Sequence, residues 1–308
     1  MQTRFTFRQL EYLVAVGEAG SVAAAAEKVN VSSPSISAAI SQLEAELGVQ
    51  LFIRQHAHGL SLTPGGQRIF NEAKQILASA GGLHDMANDI AETARGPIAV
   101  GTLVTIAPLV SASIRRSFET EYPEASVNLR EAHQLDLLAM LGRAEIDLAI
   151  TYDLDIPSDI NFEGLVELPP YVMISKQHPL AGQDSVSLAA LEAEPMVLLD
   201  LPLSREYFLG MFQQLGLRPT VSERSTNLSV ARSLVANGFG YSLINIRTKT
   251  NFAPDGEELV FLPLEGEHRP MIVGIARKQS MHHSRIATAF EEHLRARVAA
   301  GGLPGIVQ

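Results

Sequence analysis

The 308-residue sequence has no cysteine and no tryptophan, and only 6% of it is aromatic. Without cysteine, this chain forms no disulfide, carries no thiol redox switch and holds no cysteine-ligated zinc. No apolar run approaches the roughly 20 residues of a membrane span, and Arg8, Glu11 and Glu18 interrupt the apolar positions near the start, where a signal peptide would be continuous. The expected location is the cytoplasm. A P-loop, a GxGxxG after a strand, a GxSxG elbow and an HExxH pair are all missing. His56 and His58 fall in one hairpin, and His282, His283 and His293 in a loop and a terminal helix, so no metal site is expected; Asp153 and Asp155 read as a solvated loop. Basic charge is scarce too. With 24 Lys or Arg against 34 acids the net charge is −10, which argues against a general binder of nucleic acid or anionic membrane and leaves a site-specific reader open.

What is present is an ordinary globular composition, 46% hydrophobic, on a chain long enough for two or three domains. Its most informative stretch is residues 21–48, SVAAAAEKVNVSSPSISAAISQLEAELG. Ser33 followed by Pro34 reads as an N-cap with proline at the first helical position, where the missing N–H costs nothing. Ile36, Ile40, Leu43 and Leu47 then fall on one helical face, and Gly48 suits a left-handed stop. The opposite face carries Pro34, Ala38, Ser41 and Ala45, flanked by Ser35, Ser37 and Gln42, with no charge among them. A solvated face usually carries Lys and Glu; small hydroxyl, amide and methyl groups suit close approach to base edges in a DNA groove. A short helix starting at Ser21 precedes it, separated by a tight turn over Asn30 to Ser32, as in a helix-turn-helix. Upstream, Phe7, Leu10, Leu13 and Val14 mark a further amphipathic helix. Downstream, LFIRQHAHGLSLTPGG reads as two strands with a turn at Gly59, a wing placed for phosphate or minor-groove contact.

The run from Phe7 through Gly66, RQLEYLVAVGEAGSVAAAAEKVNVSSPSISAAISQLEAELGVQLFIR followed by LTPGG, resembles the DNA-binding domain of LysR-type transcriptional regulators. The resemblance implies a winged helix-turn-helix domain over residues 1–66, a linker helix over 67–95 that mediates dimerisation, and an effector-binding domain over 96–308. The candidate DNA-binding residues are Arg4, Lys28, Ser32, Ser33, Pro34, Ser35, Ser37, Ala38, Ser41, Gln42, Arg54, His58 and Thr63. Ala38 and Ser41 stand where many relatives carry Arg or Lys, and His56 and His58 occupy a wing that is often more basic. Residues 1–94 hold only six Lys or Arg against nine acids. Since attraction to phosphate supplies most non-specific affinity, that affinity is expected to be weak, with operator binding resting on Arg4, Lys28, Arg54, helix N-termini and dimerisation.

Between Pro64 and Pro97 runs one helical pattern in which Ile69, Ala73, Ile76, Ala80, Leu83, Ala87 and Ile90 recur in steps of four and three, a heptad seam. One seam position is large and the other always alanine. An antiparallel pair sets large against small in every layer, so an antiparallel dimer is expected; the alternative is a helix packed on its own domain. Gly81 and Gly82 oppose the helix, at roughly 1 kcal/mol each relative to alanine, so a bend or close crossing is expected there.

From Gly96 the period changes. Strands over 98–103, 126–132 and 146–152 alternate with helices around 107–120 and 135–143, which implies a parallel sheet covered on both faces. A second set follows, with strands YVMISKQ, PMVLLD and YSLIN and helices SREYFLGMFQQLG and TNLSVARSLVANGFG. Residues 272–278 and a last helix near 284–299 return to the first set. Two α/β lobes (lobe I 96–166 plus 269–300, lobe II 167–268) would then meet at a cleft, an arrangement the resemblance supplies as akin to periplasmic binding proteins. Helices starting after Thr105, Ser204 and Thr226 would aim their N-termini at that cleft and favour a carboxylate or other small anion. By the same resemblance, Thr102, Thr105, His133, Gln134, Asp200, Ser204, Arg205, Thr226 and Asn227 are expected near the ligand; capping is the alternative role for the hydroxyls, and a surface pair for Arg205 with Asp200. No cofactor beyond a small organic effector is expected. The whole reads as an effector-responsive transcription factor, not an enzyme, that binds an imperfect inverted repeat in double-stranded DNA, assembles as a dimer or dimer of dimers (a homotetramer) and contacts RNA polymerase but no membrane. The alternative is an enzyme, or a small-molecule-binding α/β protein, with an appended DNA-binding domain.

Overall fold

The computed structural model describes residues 4–55, 59–90, 94–279 and 284–307. The chain packs as two compact units, Met1–Ala91 with Arg143–Glu145, and Glu92–Gly142 with Ile146–Gln308.

In the first unit, α1 (Phe7–Ala19) begins at a capping box between Thr6 and Gln9. Helix α2 (Val22–Lys28) is capped by Ser21, whose Oγ accepts from the Ala24 N–H at 3.0 Å. Helix α3 (Ser33–Leu47) is capped by Ser32, one residue before the expected Ser33, because it is the Ser32 hydroxyl that reaches the Ser35 N–H. Pro34 then sits one position further in, where its N–H would still have no helical partner. Gly48 closes α3 at φ 65°. Leu13, Val16, Ala25, Ile36 and Leu43 are sealed from solvent and form the common core of these three helices.

Strands β1 (Phe52–Gln55) and β2 (Gly59–Leu62) pair antiparallel, with Phe52 opposite Leu62. Gly59 opens β2, opposite Gln55, instead of forming the turn. Helix α4 (Pro64–Ile90) follows and runs through Gly81 and Gly82 as one helix. Thr63 fastens its start: its hydroxyl donates to the Gln50 carbonyl at 2.7 Å and accepts from the Gly66 N–H at 2.8 Å. A Cβ on Gly66 would lie 2.1 Å from the Leu51 carbonyl oxygen, so the second glycine of the TPGG run is there for close backbone approach.

Among its described residues the second unit contains three sheets. The first is built from β3 (Gly96–Leu103), α5 (Ala107–Glu121), β4 (Ala125–Ala132), α6 (Gln134–Gly142), β5 (Leu148–Tyr152) and β6 (Ile160–Leu168). From there the chain makes β7 (Tyr171–Ser175), α7 (Leu188–Leu191), β8 (Pro195–Leu199), α8 (Ser204–Gln214), β9 (Thr220–Ser225), α9 (Leu228–Ala236), β10 (Ser242–Ile244) and β11 (Leu259–Pro263). It then returns through β12 (Met271–Lys278) to the first sheet and ends in α10 (Arg285–Gly301).

The first sheet has the order β4-β3-β5-β12-β6 and is mixed, where a parallel sheet was expected. Strands β4 and β5 run parallel to β3, but β12 is antiparallel to β5 and β6. The cause is the route of the chain: β12 re-enters beside the end of β5, with Val273 opposite Tyr152, and can only run back along it. In the second lobe β7 is flanked antiparallel by β10 and β11, and β8 runs parallel to β9. Tyr241 stitches these together, donating to the Pro195 carbonyl at 2.9 Å and accepting from the Val197 N–H at 2.7 Å. Beside it Gly240 has φ 137°, and a Cβ there would lie 2.0 Å from the Pro195 oxygen, so only glycine fits.

Candidate functional site

The uncharged face of α3 is open to solvent: Ser32, Pro34, Ser35, Ser37, Ala38, Ser41 and Gln42 are exposed and Ser33 half-buried, while Ile36, Ile40 and Leu43 anchor the other side. Nearby cations are less free than the sequence implies. Lys28 Nζ lies 2.8 Å from Glu18 Oε2, Lys74 Nζ 3.1 Å from Glu18 Oε1, and Arg4 3.9 Å from Glu46. Partial burial pushes the Glu18 carboxyl up, but hydrogen bonds from Lys28 and Lys74 more than reverse this and hold it below the usual carboxylate range. Thr63 spends its hydroxyl on the wing-to-α4 junction. Arg54 is described only through its main chain, opposite Leu60, and His58 lies outside the described residues.

The heptad seam divides. Ala73 is buried, and Ile69 and Ile76 pack on the core of their own unit, against which α1 also lies. Ala80 is half-buried and Leu83 is 68% exposed. The side chains of Ala87 and Ile90 lie outside the described residues.

In the second unit a cavity of about 20 Å³ lies between the lobes. Thr105 and Tyr152 reach it from the first lobe; Ser204 and Asn245 are its polar lining from the second, and Leu199, Leu201, Phe208, Leu228, Ile244 and Ile246 its apolar walls. No side chain in this lining carries a formal charge at neutral pH. The first residues of α8 and α9, Ser204 and Leu228, meet here with Thr105, which stands two residues before α5. Asn227 caps α9 through the Ser229 and Val230 N–H groups, but α5 and α8 receive no side-chain cap from Ile106 and Leu203. Leu203 also adopts φ 68°, a strained conformation for leucine of a kind that clusters at binding sites. Thr105 Oγ1 and Asn245 Nδ2 are sealed from solvent without a hydrogen-bond partner of normal geometry, and Tyr152 donates to Asn245 Oδ1 at 3.3 Å. Burial pushes the Tyr152 phenol well above its usual range, so it stays a neutral donor.

Of the residues expected at the ligand, the cavity thus brings together Thr105 and Ser204. Thr102 is buried in β3 with an unpartnered hydroxyl but does not line the cavity. Gln134 is turned inward, its Nε2 donating to the Tyr152 carbonyl at 3.1 Å and to that of Leu154. His133 is half-buried, and Thr226 and Asn227 are exposed. Asp200 is held by Arg205 at 2.6 Å and Arg224 at 3.0 Å, and these two guanidinium groups keep its carboxyl below the usual range. Tyr152 and Asn245 were not among the expected residues. A signal was available: each is a polar residue closing a buried apolar run, IDLAITY and YSLIN.

Among the described residues no helix is long and apolar enough to cross a membrane, and no group of three or more His, Cys, Asp or Glu is placed to hold a metal ion.

Residues 7–67 match the family model for the bacterial regulatory helix-turn-helix protein of the lysR family, and residues 91–299 that for the LysR substrate binding domain. The chain is 30% identical to the transcriptional dual regulator OxyR of Escherichia coli over 294 residues, covering 94% of this chain and 95% of that one. It is 28% identical to the transcriptional regulator CysB of Haemophilus influenzae over 279 residues, covering 88% and 84%. Among solved structures, HinK, a LysR family transcriptional regulator from Pseudomonas aeruginosa, is similar with a TM-score of 0.65 and 34% identity, over 96% of this chain and 99% of that one. The chain belongs to the LysR family of DNA-binding transcriptional regulators, in which a helix-turn-helix is followed by an effector-binding domain.

Proposed function

We propose that this regulator reads an imperfect inverted repeat with the uncharged face of α3, pairs with a second copy through the part of α4 beyond Leu77, and answers to a small organic effector bound between its lobes. The boundaries of the expected division, residues 1–66, 67–95 and 96–308, follow from the same reading. The observation that carries it is the meeting of the starts of α8 and α9 with the segment leading into α5 at one inter-lobe cavity, whose lining includes the buried, unpartnered Thr105 Oγ1 and Asn245 Nδ2. Unsatisfied buried polar groups are costly, and an acceptor-rich ligand placed there would satisfy them.

At about 20 Å³ the cavity has room for roughly one water, whereas an organic ligand site takes on the order of 300 Å³. Effector binding therefore requires the lobes to part. A ligand that binds only the parted form shifts the population toward it, and a changed lobe angle is the signal passed on to the DNA-bound assembly and to RNA polymerase. Response by cysteine oxidation is not open to this chain, whatever the relatives named for hydrogen peroxide do. The effector acts by non-covalent binding, in the cytoplasm and without a metal or enzymatic step.

The test is a thermal-shift screen of small carboxylates and aromatic acids on the full chain, repeated with Thr105→Trp. A hit that raises Tm in the wild type and not in the variant, with DNA binding intact in both, supports the reading. Equal loss of DNA binding and ligand response in the variant refutes separate sites.

A further inference from the structure

Gln42, on the shoulder of the α3 reading face, is not free to present either end of its amide. Gln9, on α1 and only 7% exposed, donates from Nε2 to Gln42 Oε1 at 3.2 Å. The orientation of both amides follows from a main-chain group whose chemistry is unambiguous. The Thr6 N–H can only donate, and it meets Gln9 Oε1 at 2.8 Å; the Thr6 hydroxyl meets the same oxygen at 3.1 Å. Flipping Gln9 would set its NH2 against that N–H, two donors face to face in a nearly buried place. Gln9 Nε2 therefore points to α3, and because it has only hydrogens to give, the Gln42 atom it meets must be the oxygen. Among the described residues no hydrogen bond uses Gln42 Nε2.

We propose that Gln9 is a positioning residue which, tied to Thr6, presents Gln42 to DNA as a donor, so that Gln42 selects a hydrogen-bond acceptor. This rests on α3 being the helix that faces DNA. An unrestrained glutamine pairs with adenine through both amide atoms, oxygen to N6 and nitrogen to N7. With its oxygen engaged by Gln9, Gln42 is suited instead to groups that only accept: guanine O6 and N7, thymine O4, or a phosphate oxygen. The preference is set by a residue on another helix that need not touch DNA. It also gives the capping box of α1 a second role beyond starting the helix.

The experiment is selection from a random duplex library with the full-length protein, comparing wild type, Gln9→Glu and Gln42→Ala, with Tm and overall affinity measured for each. A glutamate at position 9 accepts from both Thr6 and Gln42, which turns the Gln42 amide round and points its oxygen at DNA. If the acceptor is a base, one position of the selected site should change from guanine or thymine toward the amino-bearing adenine or cytosine, by about fivefold for one hydrogen bond, and Gln42→Ala should lose the preference there alone. If the acceptor is a phosphate, both variants should lose about fivefold in affinity on every sequence, with the base preferences unchanged. Gln42 is exposed, so Gln42→Ala reports even if Gln9→Glu fails to fold. Wild-type selectivity and affinity in Gln42→Ala would overturn the proposal. A wild type that selects no sequence at all would instead overturn the assignment of α3 as the reading helix.

Discussion

Replacing Glu18 with glutamine is expected to strengthen non-specific DNA binding and to steepen its dependence on salt. Lys28 closes α2, the helix that in helix-turn-helix proteins crosses the DNA backbone, and its ammonium sits 2.8 Å from the Glu18 carboxylate. A phosphate must draw Lys28 off that partner, exchanging one anion for another. In Glu18→Gln the ammonium arrives unpaired and adds about one phosphate contact, which steepens log affinity against log salt by about 0.9. Between about 50 and 200 mM salt, a fourfold change, this is an extra loss of about 3.5-fold. The Lys28 pair is exposed and contributes little stability, and Lys74, which also loses Glu18, keeps Glu145 at 3.0 Å, so Tm should hardly move. Fluorescence anisotropy on one arbitrary duplex, across a salt series, measures the slope for wild type, Glu18→Gln, Lys28→Gln and the double variant. An unchanged slope in Glu18→Gln, or one that steepens as much when Lys28 is already glutamine, refutes the reasoning. The pH dependence has a definite sign. The Glu18 carboxyl is held below its usual range, so the pair is fully present above the ordinary carboxylate pKa of about 4.3 and is lost only as pH falls through the lower folded value. Wild type should approach Glu18→Gln behaviour only in acid, and the slope difference should be flat from about pH 6 to 8.

Gly66→Ala should cost the first unit about 1–3 kcal/mol or more, because its Cβ would meet the Leu51 carbonyl at 2.1 Å; loss of DNA binding with ligand-induced stabilisation intact is the expected pattern, read by anisotropy and thermal shift. Asp200→Asn should lower Tm by no more than about 2 °C at neutral pH. That difference should vanish as pH falls through the depressed Asp200 value, since the Arg205 and Arg224 pairs are lost there in the wild type as well. Leu83→Asp should leave Tm nearly unchanged, because Leu83 is 68% exposed, and should shift sedimentation toward monomer; an unaltered assembly would count against pairing through the outer part of α4.

Helix α3 was legible because everything that makes it is local: an apolar step of four and three, a serine and proline at the start, a glycine at the end. Even its cap moved by one residue, since adjacent serines differ only in which oxygen reaches the Ser35 N–H. Strand β9, with the polar sequence TVSERS, went unread because much of it faces solvent and has no alternation to show. The antiparallel course of β12 depends on where the chain re-enters, which no strand pattern encodes. The first part of the α4 seam packs on its own unit, and a heptad pattern by itself does not distinguish a partner within the chain from one outside it.

Residue order alone was enough to place the helix-turn-helix, the long helix and the two α/β halves, and to rule out thiol chemistry, because caps, periodicity and composition act over a few residues at a time. Folding decided which groups are already occupied. Lys28 is taken by Glu18 ten residues away, Gln42 by Gln9 on another helix, and Gln134 by carbonyls beyond its own helix, while Thr105 Oγ1 and Asn245 Nδ2, 140 positions apart in the chain, are left unpartnered around one cavity. Hydrogen bonds and ion pairs act over about 3 Å, and distances of that size between remote residues exist only once the elements have packed.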